Sequence, residues 1–287
     1  MQVQVRYGRE TASFEVAEDK LIQLDGGQPE RAITDVAGAV AEAIESPLEF
    51  PPLRQAIVPG DHVAIVLDEG VPQSGGVLGP VVECILGAGI QPGDVQIVQV
   101  APLAGLRNGL SPDDVPPGIG LVQHDPHDRK RLSYLATTKA DTRVYLNREI
   151  VDAEVVVLVG RVNYHPILNY SGTGSSVFPG LADEEARKHF RAQITFPRTH
   201  RSRLTARQET DEVSWLVGVQ FAIQLVTGPG GEVIEVLAGY LPDVQRAGQQ
   251  RLNRSWHLHA ARRAELVIAC ISGDPDGQGF EELGTVL

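Results

Sequence analysis

The sequence is short of positive charge, cysteine and long apolar runs, and each shortage excludes something. Lysine and arginine number 25 against 37 aspartates and glutamates, a net charge of −12. Nucleic acid and anionic membranes are poor partners for such a chain. A small anion remains possible, because its binding depends on the local field in a cleft. There are two cysteines. Cys84 and Cys270 both sit in apolar runs with no second cysteine at metal spacing, so they read as small buried hydrophobes and no thiolate zinc site is expected. No apolar stretch approaches the ~20 residues needed to cross a bilayer. The first residues, Gln2-Val-Gln-Val-Arg6, lack the apolar core of a signal peptide, which predicts a cytoplasmic protein. The hydrophobic fraction of 42% and charged fraction of 22% suit a folded globular chain.

What is present points to an α/β fold. Val3–Tyr7 and Ser13–Val16 alternate as a β segment. Val36, Val40 and Ile44 recur at helical spacing, with Thr34 placed to cap the helix. Continuous runs at His62–Leu67, Val95–Val100 and Glu154–Val159 are the pattern of strands buried on both faces. Further strands are expected at 120–123 and 143–146, with helices at 77–88 and 183–193. Phe221–Val226 and Val233–Leu237 flank a glycine-rich hairpin turn. A helix over 241–254 leads to a last strand at 266–271. The class predicted is a mostly parallel, Rossmann-like sheet with flanking helices, an N-terminal β segment and a β-hairpin near 221–237.

In such sheets a ligand sits at the carboxyl ends of the strands, where strand order reverses. Three loops qualify: 68–76, 101–112 and 161–180. The third is the most informative. Ser171, Gly172, Thr173, Gly174, Ser175 and Ser176 are all small, and such a run can turn backbone N–H groups onto an anion. The alternative is a surface turn of ordinary composition. His165, shortly before it, is either a base or ligand near a bound group or a structural hydrogen-bonder. Asp211-Glu-Val-Ser reads as a capped helix start. On a strand, His257-Leu-His259 would put two histidines on one face, able to hold a metal; beside Arg254, Arg262 and Arg263 the other reading is a solvated basic linker.

Loop 161–180 resembles the corresponding loop of the nickel-pincer lactate racemase family, with His165, Ser171, Gly172, Ser176, Pro179 and Gly180 on identical residues. Similar framing includes Tyr7-Gly8, Ser46-Pro47, Pro51-Pro52-Leu53, Val58-Pro-Gly-Asp61, His124-Asp125, Tyr145-Leu-Asn-Arg148, Ala238-Gly239 and Arg246-Ala-Gly248. The resemblance implies a cofactor-binding first domain over 1–264, the start of a second domain at 265–287, and a nickel-pincer nucleotide as cofactor. It implies racemase or epimerase chemistry on a small 2-hydroxy acid, with two histidines exchanging protons while a hydride moves to the cofactor and back.

The match is partial. His165 and Asp68 fall on family positions, as acid/base and orienter. The family's arginine position is Val71, its second acid/base histidine is Ala104, and its cofactor-tethering lysine is Ser175. Nickel would then be held by a nucleotide bound without a covalent link through Ser171–Ser176, with His189 or His200 as the soft-metal ligand. Counted without gaps, the metal position is Arg191; His189 lies two residues away, about 200° around a helix. The alternative is a catalytically silent nucleotide- or cofactor-binding relative, or one subunit of a split enzyme. Homo-oligomerisation or a separate chain carrying the second domain would then complete the cleft.

Overall fold

A computed structural model describes residues 1–7, 10–22, 24–26, 31–100, 110–165, 167–192, 200–228, 231–256, 258–260 and 262–268. In chain order the strands are β1 (Gln2–Tyr7), β2 (Glu10–Glu15), β3 (Leu24–Gly26), β4 (Val63–Leu67), β5 (Val95–Gln99), β6 (Gly120–Gln123), β7 (Leu132–Thr137), β8 (Arg143–Asn147), β9 (Val155–Arg161), β10 (Asn163–His165), β11 (Asn169–Ser171), β12 (Phe221–Thr227), β13 (Val233–Tyr240) and β14 (Leu258–Ala260). The helices are α1 (Val36–Glu45), α2 (Ser74–Gly87), α3 (Arg148–Val151), the single turn α4 (Thr173–Ser175), α5 (Glu184–Ala192), α6 (His200–Val217) and α7 (Leu241–Trp256).

Six strands form the central sheet in the order β13-β12-β9-β4-β5-β6. All neighbours are parallel except the β12–β13 hairpin. From β4 the chain winds outward through β5 and β6, then returns to lay β9 and β12 on the other side of β4. The strand order therefore reverses between β4 and β9. The runs of β-branched residues explain the burial: every residue of β4 and of β12 is buried, as strands covered on both faces require. Side-chain alternation splits the interior into two cores. Ile65, Leu67, Val157, Val159 and Ile223 pack with α1 and α2. Val66, Leu158 and Ala222 face a second core with α5, α6 and α7.

The α/β class, the parallel sheet and the 221–237 hairpin stand as expected. Several local expectations need correcting. Asp35, not Thr34, caps α1, its Oδ1 accepting the Gly38 N–H at 2.8 Å. Asp211 lies inside α6, which begins eleven residues earlier. The basic stretch ahead of it, rich in arginine, hides no helix break. Strand 143–146 exists but leaves the main sheet, pairing as β8 with β7, which the mixed burial of Leu132–Thr137 had concealed. Residues 266–268 are not in a strand and are exposed, and the rest of that expected strand lies outside the described residues. Leu258–Ala260 pairs as β14 with β3, which is the strand reading of this segment and not the linker. Cys84 is half-buried.

Candidate functional site at the switch point

Asp68 follows directly on β4. Its N–H continues the ladder to the Val159 carbonyl at 2.9 Å, which fixes it beside the end of β9. Alternation places Asp68 on the same sheet face as Gly160. A Cβ on Gly160 would stand 3.3 Å from Asp68 Cβ and 3.2 Å from Thr173 Cγ2. The missing side chain thus lets α4 settle on the sheet beside the carboxyl group. The Glu69 N–H donates to Asp68 Oδ1 at 3.0 Å, and the nearby Ser176 hydroxyl, which donates to the Gly172 carbonyl at 3.4 Å, also favours the charged carboxylate. These donors do not offset burial. Desolvation, with the Glu69 charge behind it, raises the Asp68 pKa to about 7, against the pull of Ser176, the Glu69 N–H and Arg161. The residue keeps some surface open while its carboxyl group is densely surrounded. A carboxyl group poised between its two protonation states near neutrality is the chemistry expected of a proton-exchanging group.

Arg161 ends β9 on the opposite face, with Val157 and Val159. Its guanidinium Nη2 lies 3.2 Å from where a Cβ on Gly70 would stand, and Gly70 holds a left-handed φ of +68°. Burial lowers the Arg161 pKa while Asp68 and Glu69 hold it up. Sequence reading passed over Arg161. The signal was available: a charged residue closing a continuous apolar strand at the carboxyl edge of a parallel sheet.

The segment 171–176 is interior, not a surface turn. Gly172, Thr173, Gly174 and Ser176 are buried. Ser175 closes the turn on itself: its Oγ accepts the Gly172 N–H at 3.0 Å and donates to the Gly172 carbonyl at 2.7 Å. The side-chain amide of Gln224 occupies the notch at Gly172, and that of Gln245 the notch at Gly174. Both glycines therefore make room for the protein's own amides. Thr173 Oγ1 and Gln224 Oε1 are buried with no hydrogen-bond partner among the described residues.

His165 closes β10 beside this turn. Its Nδ1 accepts the N–H groups of Ile167 and Leu168, each at 3.1 Å. The neutral ring therefore carries its proton on Nε2. The ring packs on Phe190 at 6.1 Å between centroids. His124, part of the sequence framing, is buried: its Nε2 donates to the Ala182 carbonyl at 3.0 Å and its Nδ1 accepts from Asn147 at 3.2 Å. Burial lowers its pKa, so it is a neutral strut.

The other expected positions separate. Val71 is buried among the α1–α2 core residues. Ala104 lies outside the described residues. His189 is exposed on α5, whose buried face carries Ala186 and Phe190. His200 opens α6, and its side chain lies outside the described residues. Among the described residues, no three His, Cys, Asp or Glu groups are arranged to hold a metal ion. A cavity of about 500 Å³ lies elsewhere, between α6 and α7, walled by Trp215, Tyr240, Arg207 and Gln245. It adjoins the site through Gln245 at the Gly174 notch and through Leu168, whose N–H donates to His165.

The sequence model of the lactate racemase N-terminal domain matches residues 7–201. The chain belongs to this family. Among solved structures it is similar to the lactate racemase apoprotein from Thermoanaerobacterium thermosaccharolyticum, with a TM-score of 0.69 and 14% identity over 90% of this chain and 63% of that one. It is also similar to a protein from Thermotoga maritima, with a TM-score of 0.55 and 13% identity over 79% of this chain and 61% of that one. At these identities the likeness is one of fold. The chain spans less than two thirds of either protein's length. No curated protein matches it. No helix among the described residues is long and apolar enough to cross a membrane.

Family membership raises the question whether a nickel-pincer nucleotide fits this turn. The tethering position is Ser175, whose hydroxyl is spent on Gly172. The glycine notches that could admit a phosphate are filled by Gln224 and Gln245. The residues present do not fit that group.

Proposed function

We propose that this family member binds a small 2-hydroxy acid in the crevice above β4 and β9, with Asp68 and His165 as its proton-exchanging groups. The observation that carries the reading is Asp68, a carboxyl group with a pKa of about 7 at the point where strand order reverses. Asp68 offers a proton or a lone pair to the substrate hydroxyl, and His165 offers its Nε2 proton. Neither group is basic enough to remove the Cα hydrogen beside a carboxylate unaided. Inverting that carbon requires a hydride acceptor, which the filled turn does not accommodate. The chain alone therefore acts as an acid-binding relative of the racemases and not as a racemase.

The test is metal analysis with native mass spectrometry, after co-expression with the nickel-pincer biosynthesis enzymes, alongside chiral chromatography of lactate incubated with the protein. The expected result is saturable lactate binding without nickel, without a nucleotide mass and without racemisation. Stoichiometric nickel with a dissociable nucleotide mass would overturn the silent reading and restore the cofactor-dependent one.

A further inference from the structure

We infer that Arg161 reads the carboxylate of the bound acid, an assignment that rests on the acid-binding role proposed above. β4 and β9 are adjacent and parallel, so their carboxyl ends lie side by side where the strand order reverses. Asp68 rises from the end of β4 on one sheet face, and Arg161 from the end of β9 on the other. The glycine at position 70 turns the chain back in a left-handed conformation, and its bare Cα leaves the space beside the Arg161 guanidinium. A ligand resting on the edge of the sheet would meet a cation from one side and a carboxyl group from the other. A 2-hydroxy acid has the matching pair of groups on adjacent carbons.

The charges sharpen the assignment. A guanidinium largely withdrawn from water forms stronger, more directional bonds to a carboxylate than an exposed one, and its planar fork offers two parallel donors. Asp68 and Glu69 both act on Arg161. Asp68 exchanges its proton close to neutrality, so it can yield its claim on Arg161 by becoming neutral when a second carboxylate arrives. Glu69 adds a negative charge beside Arg161 that opposes the ligand. Binding above neutrality should then draw one proton from solvent to Asp68, which becomes the donor to the ligand's hydroxyl oxygen. Affinity should fall as pH rises beyond the point where Asp68 ionises.

Isothermal titration calorimetry decides this with five probes: D-lactate, L-lactate, glycolate, propionate and lactamide. Each is titrated at pH 6.5 and pH 8.0 in buffers of different ionisation enthalpy. The wild-type protein should bind the 2-hydroxy acids, and bind lactamide, which lacks the charge, on the order of 10²-fold more weakly. Arg161→Gln should weaken lactate by a similar factor and leave lactamide unchanged, while Arg161→Lys recovers part of the loss. Glu69→Gln should tighten binding. Asp68→Asn should abolish the proton uptake seen at pH 8.0. Lactate affinity unchanged in Arg161→Gln overturns the assignment and leaves the acid-binding role standing. Propionate bound as tightly as lactate, and lost in Arg161→Gln, sustains the assignment and removes the 2-hydroxy acid from the proposed function. Lactamide bound as well as lactate by the wild type overturns the assignment even if the glutamine variant fails to fold. No binding of any acid overturns both.

Discussion

Asp68 and Thr173 converge on Gly160: a Cβ there would lie 3.4 Å from Asp68 Oδ2 and 3.2 Å from Thr173 Cγ2. One hydrogen in place of a methyl group joins the end of β4, the end of β9 and the first turn after β11. Gly160→Ala should therefore act as an overpacked core substitution, costing about 1–3 kcal/mol. Urea denaturation measures that loss. A stability equal to wild type would show that α4 does not rest on the sheet at this point.

Asp68 makes stability depend on pH. In the unfolded chain it ionises near 3.8, and in the fold at about 7. Between those values the fold holds a proton that the unfolded chain has released. Its contribution is fully present below pH 4, is lost as pH rises through about 7, and is flat above. Thermal unfolding from pH 5 to pH 8 should show this decline, and Asp68→Asn should remove it. At pH 8 the asparagine variant should melt higher, by about 2–4 °C for each kcal/mol of relieved penalty. A variant that keeps the wild-type slope would assign the decline to other groups.

The pattern of residues revealed the sheet well and the site unevenly. Strands β4, β9 and β12 were legible because burial on both faces demands unbroken runs of Val, Ile and Leu. Of the β7–β8 hairpin only β8 was legible; β7 was not, since it is covered on one side only and follows the charged run Arg129-Lys-Arg131. Residues 171–176 stood out by their small side chains, and their surroundings were not legible. Small residues permit close approach, and composition cannot say whether the visitor is a phosphate or a neighbouring glutamine. Gln224 sits in the middle of an apolar strand, a buried amide that needs a reason, and this was the available hint. Arg161 escaped because its partner loop is brought to it only by the sheet.

The filled notch at Gly172 can be tested by a double-mutant cycle. Gly172→Ala would drive a methyl group into the Gln224 amide and should cost about 1–3 kcal/mol. Gln224→Ala removes the amide and leaves a hole. If the two residues meet as described, the combined variant should be more stable than the sum of the separate losses implies, by about 0.5–3 kcal/mol. Simple additivity of the two unfolding free energies would refute the contact.

His165 holds two backbone N–H groups on a single ring nitrogen. Its replacement by alanine should orphan both and destabilise the protein by about 1–3 kcal/mol. The tautomer can be checked first, through the ¹⁵N shifts of the imidazole. A proton found on Nδ1 would contradict the arrangement.

The pairing of β3 with β14 joins Leu24–Gly26 to Leu258–Ala260, residues far apart along the chain. The antiparallel pair spans three residues on each side, and nothing in it belongs to the six-stranded sheet. Pulled apart from its two ends, the molecule would load this short clasp before any parallel strand. The clasp is a mechanical fuse: it would unfasten at low force and leave the crevice between β4 and β9 intact.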